Sequence, residues 1–190
     1  MTLSQLPNLI TLSRIALVPV LILFLKDQDF VGALAIFVVA GISDGLDGLL
    51  AKRLGYTSRF GAILDPIADK TLLVSAYVML TVVGIVPFWL MLTVAFRDLL
   101  IVGGYLAYTS LVGPVRMHPS VLSKVNTFMQ ILLVAVVLVK RAAGYQWPLL
   151  EEVLIYAVLV TTVTSGAHYV WVWGMKASSA HESSEAGHRG

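Results

Sequence analysis

The sequence predicts an all-α integral membrane protein with six transmembrane helices. Three observations predict it. Of 190 residues, 58% are hydrophobic and only 13% charged. Mean hydropathy is +0.87. Apolar runs long enough to cross a bilayer recur along the chain, separated by short breaks rich in turn-forming or charged residues. A soluble domain is nearer half apolar and a quarter charged, and a spanning helix needs about 20 mainly apolar residues.

The first run, Asn8–Leu25, is the weakest, because Arg14 interrupts it. Its opening, Leu3–Ser13, fits a short N-terminal interfacial helix ahead of a span that begins at Ile15. Lys26-Asp27-Gln28-Asp29 then breaks the chain before the second run, Phe30–Leu50. The basic stretch Lys52–Arg59 leads into Gly61–Val83, and Gly84–Pro87 leads into Pro87–Tyr108. Gly113–Pro119 precedes Val121–Val139, and Lys140–Pro148 precedes Leu149–Gly174. Residues 1–176 read as one transmembrane domain and Ala177–Gly190, small and polar, as a disordered cytoplasmic tail. No soluble domain and no internal repeat is visible.

An even number of spans puts both termini on one side. Arg14, Lys52, Arg53, Arg59, Arg116, Lys124, Lys176 and Arg189 fall on or near that side, whereas Lys26, Lys140 and Arg141 fall opposite. The positive-inside rule therefore places both termini in the cytoplasm. Cysteine is absent, which excludes disulfides and thiolate metal sites. The net charge of +2 is small and says little alone; no nucleic-acid partner is expected. Met1–Pro7 has no basic n-region of a cleavable signal, and the lack of an Arg-rich transit segment points to a bacterial inner (plasma) membrane.

Against this background stand four aspartates in a strongly apolar stretch, Asp44-x2-Asp47-Gly48-x2-Ala51-Lys52-x8-Gly61-x3-Asp65-x3-Asp69. An ionised carboxylate in hydrocarbon costs roughly 2.5–3.5 kcal/mol even on lenient insertion scales. Hard oxygen ligands suit a divalent cation such as Mg²⁺ or Mn²⁺. Spacings of three and four put Asp44 with Asp47, and Asp65 with Asp69, on common helix faces. The short basic loop makes the second and third helices antiparallel neighbours, so the four carboxylates converge near the cytoplasmic side. Gly48 and Gly61 leave room for a ligand or a neighbouring helix. Such a site suits phosphoryl-type transfer, with one carboxylate taking a proton from an attacking hydroxyl. The bland alternative is interhelical pairing, with Lys52, Arg59 and Lys70 neutralising the acids. A carboxylate-based ion transporter is a third class, but transport folds tend to scatter acids and break helices at midplane.

This pattern resembles the signature of the CDP-alcohol phosphotransferase (CDP-alcohol phosphatidyltransferase) family, D-x2-D-G-x2-A-R-x8-G-x3-D-x3-D. The match takes in all four aspartates, both glycines, the alanine and the eight-residue spacer; Lys52 stands where the family usually has arginine. Lysine keeps the charge but loses the planar fork, so Arg53 is a candidate to share its role. The resemblance implies six membrane helices, a homodimer, a CDP-linked lipid donor and an acceptor hydroxyl that displaces CMP. It implies that Asp44, Asp47 and Asp65 bind the divalent metal and that Asp69 is the catalytic base and a further metal ligand. Asp44, Gly48 and Ala51 would line the nucleotide site, with Lys52 and Gly61 beside it. Asn8-x2-Thr11-x2-Arg14 resembles an N-terminal element that lies by the nucleotide in several members.

For the acceptor, Phe96-Arg97-Asp98, the run Leu122–Gln130 and the late Thr161-Thr162-x-Thr164-Ser165 resemble eukaryote-like cardiolipin synthases. That implies transfer from CDP-diacylglycerol to phosphatidylglycerol. Phosphatidylglycerophosphate synthases, which use glycerol 3-phosphate, share Pro7–Thr11 and Gly61–Lys70 and are the alternative. Candidate acceptor contacts are Arg59, Arg116, Lys124 and Asn126. Each also has a bland reading: positive-inside anchor for Arg116, interhelical hydrogen bonding for Asn126 with Gln130. Arg97-Asp98 reads as a structural charge pair in which each member needs another partner, since adjacent helix positions do not face each other. His168 reads as an interior, hydrogen-bonded histidine; Tyr169, Trp171 and Trp173 read as an aromatic belt.

Overall fold

The computed structural model describes the backbone of residues 6–54, 59–111, 120–145 and 147–187, and the side chains of residues 13–43, 70–104, 120–145, 147 and 149–171. It is all helical, with no strand among the described residues. Six helices follow in order: α1 (Leu6–Lys26), α2 (Phe30–Leu54), α3 (Arg59–Val82), α4 (Phe88–Leu111), α5 (Val121–Ala143) and α6 (Pro148–Gly187).

Local chemistry explains the helix ends. Asp29 caps α2: its carboxylate accepts from the Gly32 N–H at 3.0 Å, satisfying one of the orphan donors of the first turn. Gly32 is required there, because a Cβ would come 2.5 Å from the Phe24 ring and 2.8 Å from the Asp29 carboxylate. Gln28, at φ 55, makes the tight turn out of α1. Ser120 caps α5 by accepting from the Ser123 N–H. Gly144 ends α5 in the left-handed region at φ 71, its N–H donating to the Lys140 carbonyl. Gly144→Ala should therefore cost about 1 kcal/mol, the penalty of a Cβ in that conformation. A lowered unfolding midpoint in detergent, with the helix content of the folded state unchanged, checks it.

The apolar face of each helix closes the bundle. Among the described residues α1 packs on α2 and α3, α5 on α6 and α2, and α4 on α6, with lighter contacts from α3 to α4 and α5. Leu21, Leu25, Ala33, Ala76, Leu80, Leu90, Leu133, Val134, Val137 and Val158 form the core. An ion pair between Lys140 and Glu151 ties α5 to α6 beside their turn. Threonine hydroxyls that would otherwise be orphaned bond back to the preceding turn of their own helix, as Thr81 does to Tyr77 and Thr93 to Trp89. The outward faces are apolar too: Leu99 and Val121 are 70% and 76% exposed. Among the described residues two helices, over Val121–Ala143 and Leu149–Trp171, are long and apolar enough by themselves to cross a membrane, and shorter apolar stretches lie at Phe30–Ser43 and Lys70–Val82.

Three expectations change. The opening of the chain is no separate interfacial helix: α1 runs unbroken from Leu6 through Arg14 and Pro19 to Lys26. Arg14, 1% exposed, is taken into the bundle interior, so its charge does not force a break. His168 is exposed on α6, whereas Thr162 and Ser165 of the same helix are buried. Beyond Lys176, the segment read as a tail continues α6 as far as Gly187. It contains no proline, and no glycine interrupts it before Gly187. Its side chains lie outside the described residues.

Candidate active site

Backbone comes first. Asp44 and Asp47 lie on α2, and Asp65 and Asp69 on α3, so each pair has the helical spacing that puts its members on one face. Gly48, Ala51 and Lys52 follow on α2, Arg59 and Gly61 open α3, and Asn8 and Thr11 lie on α1. The side chains of all these residues lie outside the described set, as does Arg116 altogether, and so does the convergence of the four carboxylates. Among the described residues no cluster of three His, Cys, Asp or Glu is placed to hold a metal. The packing of the helix portions beyond the quartet is described: both α2 and α3 lie against α1, the helix that carries Arg14.

The side-chain description resumes one residue after Asp69, and there a polar layer begins. Lys70 donates to Asp98 Oδ2 on α4 at 2.5 Å. It is therefore engaged with α4. Arg97 donates to Asp98 Oδ1 at 2.9 Å. The two adjacent residues form the structural charge pair read from the sequence, the long arginine side chain folding back to its neighbour. The further partners that the sequence demanded are also present. Arg97 donates to the Ser123 hydroxyl of α5 at 2.7 Å and to the Ser165 hydroxyl of α6 at 2.6 Å. Its guanidinium also lies 6.0 Å from the centre of the Tyr169 ring, within cation–π range. One buried arginine thus joins α4, α5 and α6, and through Asp98 it joins α3.

A second layer lies deeper. Asn126 is fully buried and its Oδ1 accepts from Thr161 at 3.0 Å and Thr162 at 2.8 Å, both on α6. The Tyr77 hydroxyl donates to the Gln130 carbonyl at 3.4 Å, a long contact between α3 and α5. Lys124, by contrast, is exposed. The two candidate acceptor residues of α5 therefore do not share a surface, since positions two apart on a helix point in nearly opposite directions. Lys70, Ser123 and Ser165 were not singled out as site residues from sequence. The available signal was their position inside the motifs around Asp69, Leu122–Gln130 and Thr161–Ser165.

The profile of the family described as CDP-alcohol phosphatidyltransferase matches residues 4–164, which takes in both aspartate pairs, Lys70, Arg97, Asp98 and Ser123 of the first polar layer and all of the second. The chain belongs to the CDP-alcohol phosphatidyltransferase family. It is 33% identical over 179 residues to the cardiolipin synthase (CMP-forming) of Rattus norvegicus, covering 86% of this chain and 59% of that protein. Over 102 residues it is 42% identical to the "Probable phosphatidylglycerophosphate synthase" of Mycobacterium tuberculosis (strain ATCC 25618 / H37Rv), covering 50% of this chain and 49% of that one. It is 32% identical over 188 residues to the chloroplastic CDP-diacylglycerol–glycerol-3-phosphate 3-phosphatidyltransferase 1 of Oryza sativa subsp. japonica, covering 87% of this chain and 56% of that protein. The chain spans less than two thirds of the length of each of these relatives.

Proposed function

We propose that this family member is a six-span membrane enzyme that transfers a phosphatidyl group from CDP-diacylglycerol to phosphatidylglycerol, releasing CMP and forming cardiolipin. The observation that carries the reaction class is the four-aspartate signature, borne by two consecutive helices and enclosed by the family match. Four carboxylates and no thiolate form a hard donor set that fits Mg²⁺ or Mn²⁺. Asp44, Asp47, Asp65 and Asp69 would hold the ion, which when bound neutralises the donor pyrophosphate and stabilises the departing phosphate oxygen.

The chain's own residues do the rest. Asp69 accepts the proton of an acceptor glycerol hydroxyl, whose oxygen attacks the phosphatidyl phosphorus. The bond from that phosphorus to the bridging oxygen breaks, and CMP leaves with the bond's electrons. Asn8, Thr11, Arg14, Gly48, Ala51, Lys52 and Gly61 belong to the nucleotide side. Arg59, Arg116, Lys124 and Asn126 are candidates for the acceptor side. Exposed apolar faces and the distribution of Lys and Arg support an integral membrane setting with the site opening to the cytoplasm. A homodimer follows from the family resemblance.

The choice of phosphatidylglycerol rests on the motifs of α4, α5 and α6 and on the span of the rat relative's alignment. A second reading keeps the donor and takes glycerol 3-phosphate. It is favoured by the mycobacterial and rice relatives, whose names carry that acceptor or its product. Purified protein should be given CDP-diacylglycerol, divalent metal and each acceptor in turn, and the lipid formed identified by mass spectrometry. Cardiolipin from phosphatidylglycerol is expected. Product from glycerol 3-phosphate alone would replace the acceptor, and metal-dependent ion flux without CMP would replace the enzyme with a transporter.

A further inference from the structure

We propose that Lys70, Asp98 and Arg97 form a positioning latch that sets the rotation of α3, and hence the aim of Asp69. It rests on the catalytic role given to Asp69 above and adds residues that act through it.

The geometry is a chain of named contacts. Lys70 follows Asp69 directly on α3 and reaches Asp98 Oδ2 on α4 at 2.5 Å. The other oxygen of Asp98 accepts from Arg97 at 2.9 Å. Arg97, 4% exposed, is pinned in turn by Ser123 of α5 and Ser165 of α6. Both carboxylate oxygens of Asp98 are therefore engaged, and the anchor behind them is spread over three helices. The packing between α3 and α4 is otherwise light, so this ion pair is a principal tie between the two.

Adjacent side chains on a helix point about 100° apart. A lysine held against α4 therefore fixes the rotation at which α3 presents its backbone at position 69. A side-chain carboxylate sits roughly 5–6 Å from the helix axis. A 10° rotation of α3 would sweep it by about 1 Å, and a misplacement of that size can cost about a hundredfold in rate. Loss of the Lys70 charge strands no buried ion, because Asp98 keeps Arg97 as its counter-charge. A latch of this kind shows itself in turnover and not in folding.

Lys70→Gln tests it, because that change removes the tie and leaves the buried Arg97–Asp98 pair whole. Intact protein in detergent micelles, with CDP-diacylglycerol, phosphatidylglycerol and Mn²⁺, should lose about ten- to a hundredfold in kcat. KM for the donor should stay within about twofold and the unfolding midpoint should not move. Lys70→Arg, which restores a cation, should recover kcat to within about threefold of wild type. Unchanged kcat in Lys70→Gln would overturn the latch. So would a raised KM with kcat intact, which would make Lys70 a donor contact, or a kcat loss matched by a lower unfolding midpoint. Wild type and Asp69→Asn run alongside keep the two assignments separate. A wild type without CMP release, or an active Asp69→Asn, sinks the enzyme or base assignment instead.

Discussion

Asp69→Asn should cut CMP release by about 10²–10⁴-fold, the usual contribution of a positioned general base, while CDP-diacylglycerol still binds. The substitution is nearly isosteric. It keeps one carbonyl oxygen but removes the negative charge, and with it the capacity to take up a proton at neutral pH and one of four charges proposed to hold the ion. In the proposed site donor binding would draw on the other three aspartates and on the nucleotide-side residues of α1 and α2, so it should survive. Two measurements check the pair of outcomes: CMP release under saturating donor and acceptor, and equilibrium binding of CDP-diacylglycerol in the presence of Mn²⁺. Full activity in the variant would remove Asp69 from its role as base. Loss of donor binding together with turnover would make it chiefly a metal ligand.

Much of the fold was legible in the sequence because apolar runs and turn signals are local. Asp29 and Gly32 mark the start of α2, Ser120 the start of α5 and Gly144 its end, and each acts within a few residues of itself. The aspartate quartet was legible for the same reason, its spacing being a property of single helices. What was not legible depends on partners distant in sequence. Arg97 meets Ser123 and Ser165, separated from it by 26 and 68 positions, and no periodicity in α4 announces which serines will face it. Arg14 looked like an interruption because hydropathy counts a charge without knowing whether the bundle encloses it. Asn126 gave equal signals for an acceptor contact and for helix pairing. Its Oδ1 is bonded to Thr161 and Thr162, which are two of the polar residues that marked the late motif.

Asp98→Asn should destabilise the folded protein by about 3–5 kcal/mol, the cost of leaving a buried ion without its counter-charge. Arg97 is 4% exposed, and Asp98 is its sole ion-pair partner among the described residues. Ser123 and Ser165 would still accept from it, but neutral hydroxyls cannot offset its charge. Lys70, with a 41% exposed side chain, is not enclosed in the bundle as Arg97 is. Removing both charges together has a different consequence. In Arg97→Met with Asp98→Asn no unpaired ion is left inside, and the serine hydroxyls can bond back to their own helices. With no unpaired charge left inside, part of the lost stability should return, less the cost of the buried amide that replaces the carboxylate. Unfolding midpoints of the single and double variants in detergent measure this directly. A single variant as stable as wild type would show that Arg97 has another counter-ion. Turnover should not return with the fold, because the double variant still lacks the carboxylate that holds Lys70. Recovery of stability without recovery of kcat is the combination expected of a layer that both joins four helices and aims Asp69.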